Sequence, residues 1–224
     1  MTLSIIGRCA QTGQMGIAIS SSSIAVGARC PWLRSKVGAV STQNITLPAL
    51  GPRILDRLAQ GDAVDIALKR GLDTDDYALY RQVTVLTPDG NSAFYSGEKT
   101  LGINNALSGE NCVAAGNMLA SPDVIAAMVN AFEHHSGHLA DRLIAAMQAG
   151  LGAGGEAGPV HSAALSIVDS PVWPIVDLRV DWTDASPIDE LNALWQAYKP
   201  QMQDYITRAL DPRSAPGYGV PGDE

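Results

Sequence analysis

The chain has 224 residues, 46% hydrophobic and 17% charged, which is enough for one large domain that buries its core without disulfide or metal staples. A net charge of −8 with no dense Lys/Arg cluster argues against nucleic acid as a partner. Three scattered cysteines (Cys9, Cys30, Cys112), no signal-peptide pattern and no membrane-length apolar run lead us to expect reduced thiols, no membrane partner and a cytoplasmic protein.

Residues 2–8 and 15–20 read as two strands around a Gly-containing turn, a hairpin. Residues 24–32 form a longer connection, interrupted by Gly27 and Pro31, that leads to a third strand at 37–42. Residues 48–71 are helical in two pieces: Gly51-Pro52 opens the first, Gly61 breaks it, and Asp62 restarts it. Strands at 81–87 and 92–96 flank the turn Pro88-Asp89-Gly90-Asn91, the clearest hairpin in the chain. An extended segment at 113–120 precedes Ser121-Pro122-Asp123, where a hydroxyl cap, a first-turn proline and an acid start a helix to about His134. A second helix spans about 139–148, and the glycine-rich run 150–158 is a loop. Strands follow at 162–169 and 175–181. Ser186-Pro187-Ile188-Asp189 then opens a last helix to about Leu210, before an irregular tail at 211–224.

This order is not a βαβ alternation, so a doubly wound parallel sheet is not expected. Hairpins imply antiparallel sheet, and paired helices imply outer layers. The predicted fold is α+β, two stacked antiparallel sheets with helices outside, in a single domain over 1–210.

Thr2 is the sharpest chemical candidate. Removal of Met1 leaves a threonine whose α-amine stands beside its own hydroxyl, and an amine titrating near about 8 can serve as that hydroxyl's base. Arg29 and Lys36 flank the turn Cys30-Pro31-Trp32, where either cation could tune that amine or hold a carboxylate. Gln43 and Asn44 close the third strand with polar side chains suited to substrate binding. Asn117, with backbone N–H groups ahead of a helix start, could stabilise an oxyanion or serve as a turn residue that leads into the Ser121 cap. Glu156 and His161 lie at the exit of the glycine-rich loop and could reach into a pocket. The run Glu133-His134-His135-Ser136-Gly137-His138 lacks metal-ligand spacing and reads as a helix terminus. GxSxG is absent, and the glycine-rich loop lacks a phosphate-loop ending.

Several stretches together resemble one family. They are Thr2-Leu3-Ser4-Ile5-Ile6-Gly7-Arg8, Thr12-Gly13-Gln14-Met15-Gly16-Ile17-Ala18, Ala25-Val26-Gly27-Ala28-Arg29-Cys30-Pro31-Trp32, Val37-Gly38-Ala39-Val40-Ser41-Thr42-Gln43, Leu50-Gly51-Pro52-Arg53, Gly116-Asn117-Met118-Leu119, Ser162-Ala163-Ala164-Leu165 and Val176-Asp177-Leu178-Arg179-Val180-Asp181. In these the chain resembles the domain-of-unknown-function family 1028, whose members have an N-terminal-nucleophile-hydrolase-like fold. Cys9 and His161 stand where many members carry Asp and Gln. The resemblance implies a four-layer αββα sandwich and makes Thr2 the expected nucleophile of an amide-bond hydrolase. The expected substrate is a small molecule, with no metal or organic cofactor. The alternative is a non-catalytic ligand-binding or assembly protein on the same scaffold. A homo-oligomer is also expected, with Trp32, Trp173, Trp182 and Trp195 as either interface or core.

Overall fold

The first strand, β1 (Thr2–Arg8), shows how the layers arise. Alternation sends Leu3 and Ile5 to one face and Thr2, Ser4 and Ile6 to the other. Leu3 and Ile5 join a core built with α3 (Asp123–His134), α4 (Leu139–Gly152) and α5 (Pro187–Tyr198). Ile6 joins a separate cluster with Met15, Ile17 and Val113 of its own sheet and Ala39 and Leu86 of the other. One strand thus supplies both a helix–sheet core and a sheet–sheet core.

The computed structural model describes residues 1–220. The remaining strands are β2 (Met15–Ser21), β3 (Pro31–Arg34), β4 (Gly38–Asn44), β5 (Arg81–Leu86), β6 (Ser92–Ser96), β7 (Asn105–Gly109), β8 (Cys112–Asn117), β9 (Ser162–Val168) and β10 (Val176–Val180). A six-stranded sheet runs β10-β9-β2-β1-β8-β7, and a four-stranded sheet runs β3-β4-β5-β6. All the strand pairings are antiparallel. Helices α1 (Leu50–Ala59) and α2 (Val64–Leu72) cover the smaller sheet, packing Leu50, Ile54 and Leu68 on Val40, Val83 and Val85. The architecture is α+β, two antiparallel sheets face to face with helices on both outer faces, αββα in order, as expected.

Three details depart from the sequence reading. The edge strands β3 and β7 were not predicted, since their residues are half-buried or exposed and carry little apolar alternation. Helix α4 continues through Gly150 into the predicted loop, because Gly150 faces Met128 of α3 so closely that a Cβ would lie 2.7 Å from its Cγ. The final helix divides at Pro200 into α5 and α6 (Met202–Leu210), since proline removes a helical N–H and crowds the preceding turn. Trp195 is fully buried, whereas Trp173 and Trp182 are exposed. The tail over 211–220 has no helix or strand, and residues 221–224 lie outside the described residues. Among the described residues no helix is long and apolar enough to cross a membrane.

Candidate functional site

The layer between the sheets changes character along its length. At the Arg8 end of β1 it is apolar, built on Ile6, Met15, Ile17, Leu86 and Val113. Toward the start of β1 the inward positions become Ser4 and Thr2, and their neighbours become Ser21, Ser41, Gln43, Gln82 and Asn117, every one buried. Register brings these residues together: Thr2 lies opposite Ser21 of β2 on one side and Asn117 of β8 on the other. Seven-residue strands of period two place them on one face.

Thr2 is 6% exposed. Its Oγ1 donates to the Met1 carbonyl oxygen at 2.6 Å, and Ser21 Oγ donates to the same oxygen at 2.6 Å. The two hydroxyl oxygens are 3.2 Å apart. A carbonyl oxygen is therefore already seated between the candidate nucleophile and a second hydroxyl donor. The Met1 side chain lies on Gly158, where a Cβ would come within 2.8 Å of Met1 Cε.

Arg29 reaches this point through hydroxyl groups. Its Nη2 donates to Ser23 Oγ at 2.7 Å, and Ser23 Oγ lies 2.9 Å from Ser21 Oγ. Because Arg29 is donor-only, Ser23 accepts from it and turns its own hydrogen to Ser21. Ser21 in turn points its hydrogen at the Met1 carbonyl. Arg29 thus orders the hydroxyls rather than offering its charge at close range. Its other amino group braces the preceding loop through the carbonyls of Ile24 at 2.6 Å and Ala25 at 3.0 Å.

A second polar chain crosses between the sheets. Ser4 Oγ donates to Gln43 Oε1 at 2.6 Å, Gln43 Nε2 to Gln82 Oε1 at 2.8 Å, and Asn117 Nδ2 to Gln82 Oε1 at 3.1 Å. Gln82 Nε2 donates to the Gly116 carbonyl at 3.0 Å, and a carbonyl can only accept. That one contact fixes the polarity of every amide in the chain. Asn117 Oδ1 and Thr84 Oγ1 are buried without a partner.

The sequence candidates therefore separate. Thr2, Gln43 and Asn117 lie in the polar zone, and Arg29 reaches it through Ser23. Asn117 has committed one N–H to Gln82. The backbone amides that follow are occupied as well: Met118 N binds Leu101 O at 2.9 Å, Leu119 N binds Ile103 O at 2.9 Å and Ala120 N binds Gly155 O at 3.0 Å. The backbone donors expected beside Asn117 are thus already used. Asn44 has a left-handed backbone, φ 67°, and pins two loops through Tyr80 O and the Leu101 amide. The His161 amide supports Ser21 O at 2.9 Å, while its ring binds Thr183 O at 2.8 Å and stacks on Trp182 at 4.3 Å. Lys36 is a correction. It lies beyond the opposite end of the sandwich, in a cleft of about 830 Å³ shared with Asp62, Asp65, Pro88 and Asp89. The Arg8 side chain, at the far end of β1 from Thr2, binds the Pro88 carbonyl there. The turn between β3 and β4 points away from Thr2, and linear proximity to Arg29 concealed this.

Sequence reasoning missed Ser21, Ser23 and Gln82, although the serine run 20–23 directly after a buried strand was a visible signal. The buried thiols offer no competing nucleophile: burial pushes Cys30 up to about 11 and Cys112 up to about 12. Among the described residues no group of three or more His, Cys, Asp or Glu is arranged to hold a metal ion.

A family model described as a family of unknown function, DUF1028, matches residues 2–191. Protein SPO2555 from Silicibacter pomeroyi, a crystal structure described under the same family, is 29% identical with a TM-score of 0.85, over 91% of this chain and 89% of that one. Anbu, described as an ancestral beta-subunit, from Yersinia bercovieri, aligns over 97% of this chain and 100% of its own at 10% identity and a TM-score of 0.37, too distant a likeness to transfer anything. Among curated proteins none matches. With its match running from the first residue of β1 into α5, the chain belongs to the DUF1028 family.

Proposed function

We propose that this protein is an amidohydrolase of the N-terminal-nucleophile type, acting on a small molecule through Thr2 after removal of Met1. The observation that carries the reading is the Met1 carbonyl oxygen, held at 2.6 Å by both Thr2 Oγ1 and Ser21 Oγ. Once Met1 leaves, a substrate carbonyl takes that place. The Thr2 amine accepts the Oγ1 proton, and Oγ1 attacks the acyl carbon. Ser21, oriented by Arg29 through Ser23, donates to the oxyanion, with the second N–H of Asn117 as a further donor. The C–N bond breaks as the α-ammonium returns the proton to the leaving amine, leaving an ester on Thr2. Water, deprotonated by the same amine, attacks the ester carbon, and the bond from that carbon to Oγ1 breaks as the ammonium returns the proton to Oγ1, releasing the acid.

The occupied amides of Met118, Leu119 and Ala120 favour a second reading, a scaffold that binds a ligand without cleaving it. One experiment separates the two. Protein shown by intact mass to begin at Thr2 is screened against a panel of small chromogenic anilides, with Thr2→Ala in parallel. The hydrolase reading expects turnover in the wild type and a loss of at least about a thousandfold in Thr2→Ala. Equal rates in both, or no turnover with any anilide, contradict it.

A further inference from the structure

Glu156 is a buried acid that the reaction above leaves unused. It is 6% exposed, in the loop that leaves α4. That loop turns through Gly154 and Gly155, at φ 115° and 61°, values that favour glycine. It is then fastened on both sides of Glu156: Ala120 N donates to Gly155 O at 3.0 Å, and Ala157 N to Met118 O at 2.8 Å. Glu156 itself forms a bridge with Leu119. Such anchoring leaves the side chain little freedom. Ser20 Oγ approaches its Oε1 at 3.5 Å, while Oε2 is buried with no partner.

The charged group facing this carboxyl is the amino terminus of the chain, and the amides of Ser22 and Leu3 also act on it. The imidazole of His161, at the start of the following strand, is turned to Thr183 and Trp182. Along the chain, the Thr2 nitrogen lies between the Met1 nitrogen and the Leu3 amide, both of which act on Glu156. Removing Met1 moves the terminal amine to that intermediate position. We infer that Glu156 is a positioning residue for the Thr2 amine, its free Oε2 accepting a hydrogen bond from the terminus that Met1 removal creates.

This rests on Thr2 as the working N-terminus and extends it to the control of the amine's proton. Burial, opposed by the nearby amino terminus, pushes Glu156 up to about 8. A free α-amine ordinarily titrates near about 8 as well. A buried carboxyl and an amine that face each other titrate as a pair rather than singly. The carboxyl thereby takes part in setting the pH at which the amine can accept the Oγ1 proton and return it. Glu156 makes and breaks no bond to substrate.

The test uses processed wild type and Glu156→Gln, with p-nitrophenyl acetate as the acylating probe between pH 5 and 9. Gln cannot become anionic, so the ammonium loses its stabilising partner and the amine deprotonates at lower pH. The acidic limb of the acylation rate is expected to move down by about one pH unit and to follow a single ionisation. A limb that stays in place while the rate falls overturns the inference, because a merely structural role changes amplitude only. Should Glu156→Gln not fold, wild-type α-amine reactivity toward acetic anhydride is followed against pH by peptide mass. Two-step titration supports the pairing, and a single step at the ordinary amine value overturns it. Two-step titration of the amine with no acylation of Thr2 by the nitrophenyl ester sinks the hydrolase reading alone and keeps the pairing.

Discussion

The two ends of the layer between the sheets are built on the same strands and face the same way, yet they follow different rules. At the Arg8 end, Ile6, Met15, Ile17, Leu86 and Val113 close on one another, and the return is stability. At the Thr2 end, the same inward positions carry Thr2, Ser4, Ser21, Gln43, Gln82 and Asn117, all removed from water. Burying so many polar groups is favourable only where each finds a partner. Most do. The two that do not, Thr84 Oγ1 and Asn117 Oδ1, lie in this zone. The contrast teaches that one end of the sandwich serves the fold and the other gives up stability for placed donors and acceptors.

Three substitutions can break or sharpen that contrast. The largest effect is expected from Ile6→Ala at the apolar end. It should lower unfolding free energy by about 2–5 kcal/mol in urea titrations while leaving Thr2 acylation per folded molecule unchanged. Next is Ser21→Ala at the polar end. It should cut acylation about 10²–10³-fold, as loss of an oxyanion donor does, with little change in melting temperature. The smallest is Thr84→Val. Replacing an unpartnered buried hydroxyl by a methyl should stabilise by about 1 kcal/mol, a gain visible as a raised urea midpoint. If Ser21→Ala instead destabilises as much as Ile6→Ala, the two ends do not differ in kind.

The apolar end was legible in the sequence because period-two alternation reports burial directly. β1, β2, β4 and β5 were placed to within about two residues, and the cap at Ser121 is made, its Oγ accepting the Asp123 amide at 3.2 Å. The polar end was legible only in part. Thr2 and Asn117 stood out by chemistry and position, and register then set them opposite each other. Ser21 and Gln82 did not stand out, since a polar residue in a strand ordinarily faces solvent and nothing local says that it faces a second sheet. Lys36 failed for the complementary reason: β3 and β4 carry the chain the length of the sheet between Arg29 and Thr42, so neighbours in sequence end at opposite ends of the fold. Glu156 stood at a loop exit in the sequence, and its burial depends on its bridge to Leu119 and the approach of Ser20, each more than 30 residues away.

The most direct test of the account is where an electrophile that bonds both a hydroxyl and an adjacent amine attaches to protein beginning at Thr2. Peptide mapping by mass spectrometry is expected to find a single adduct on Thr2, closed through Oγ1 and the α-nitrogen, and to find none on Thr2→Ala. An unmodified Thr2 in protein that still hydrolyses its substrate would contradict it.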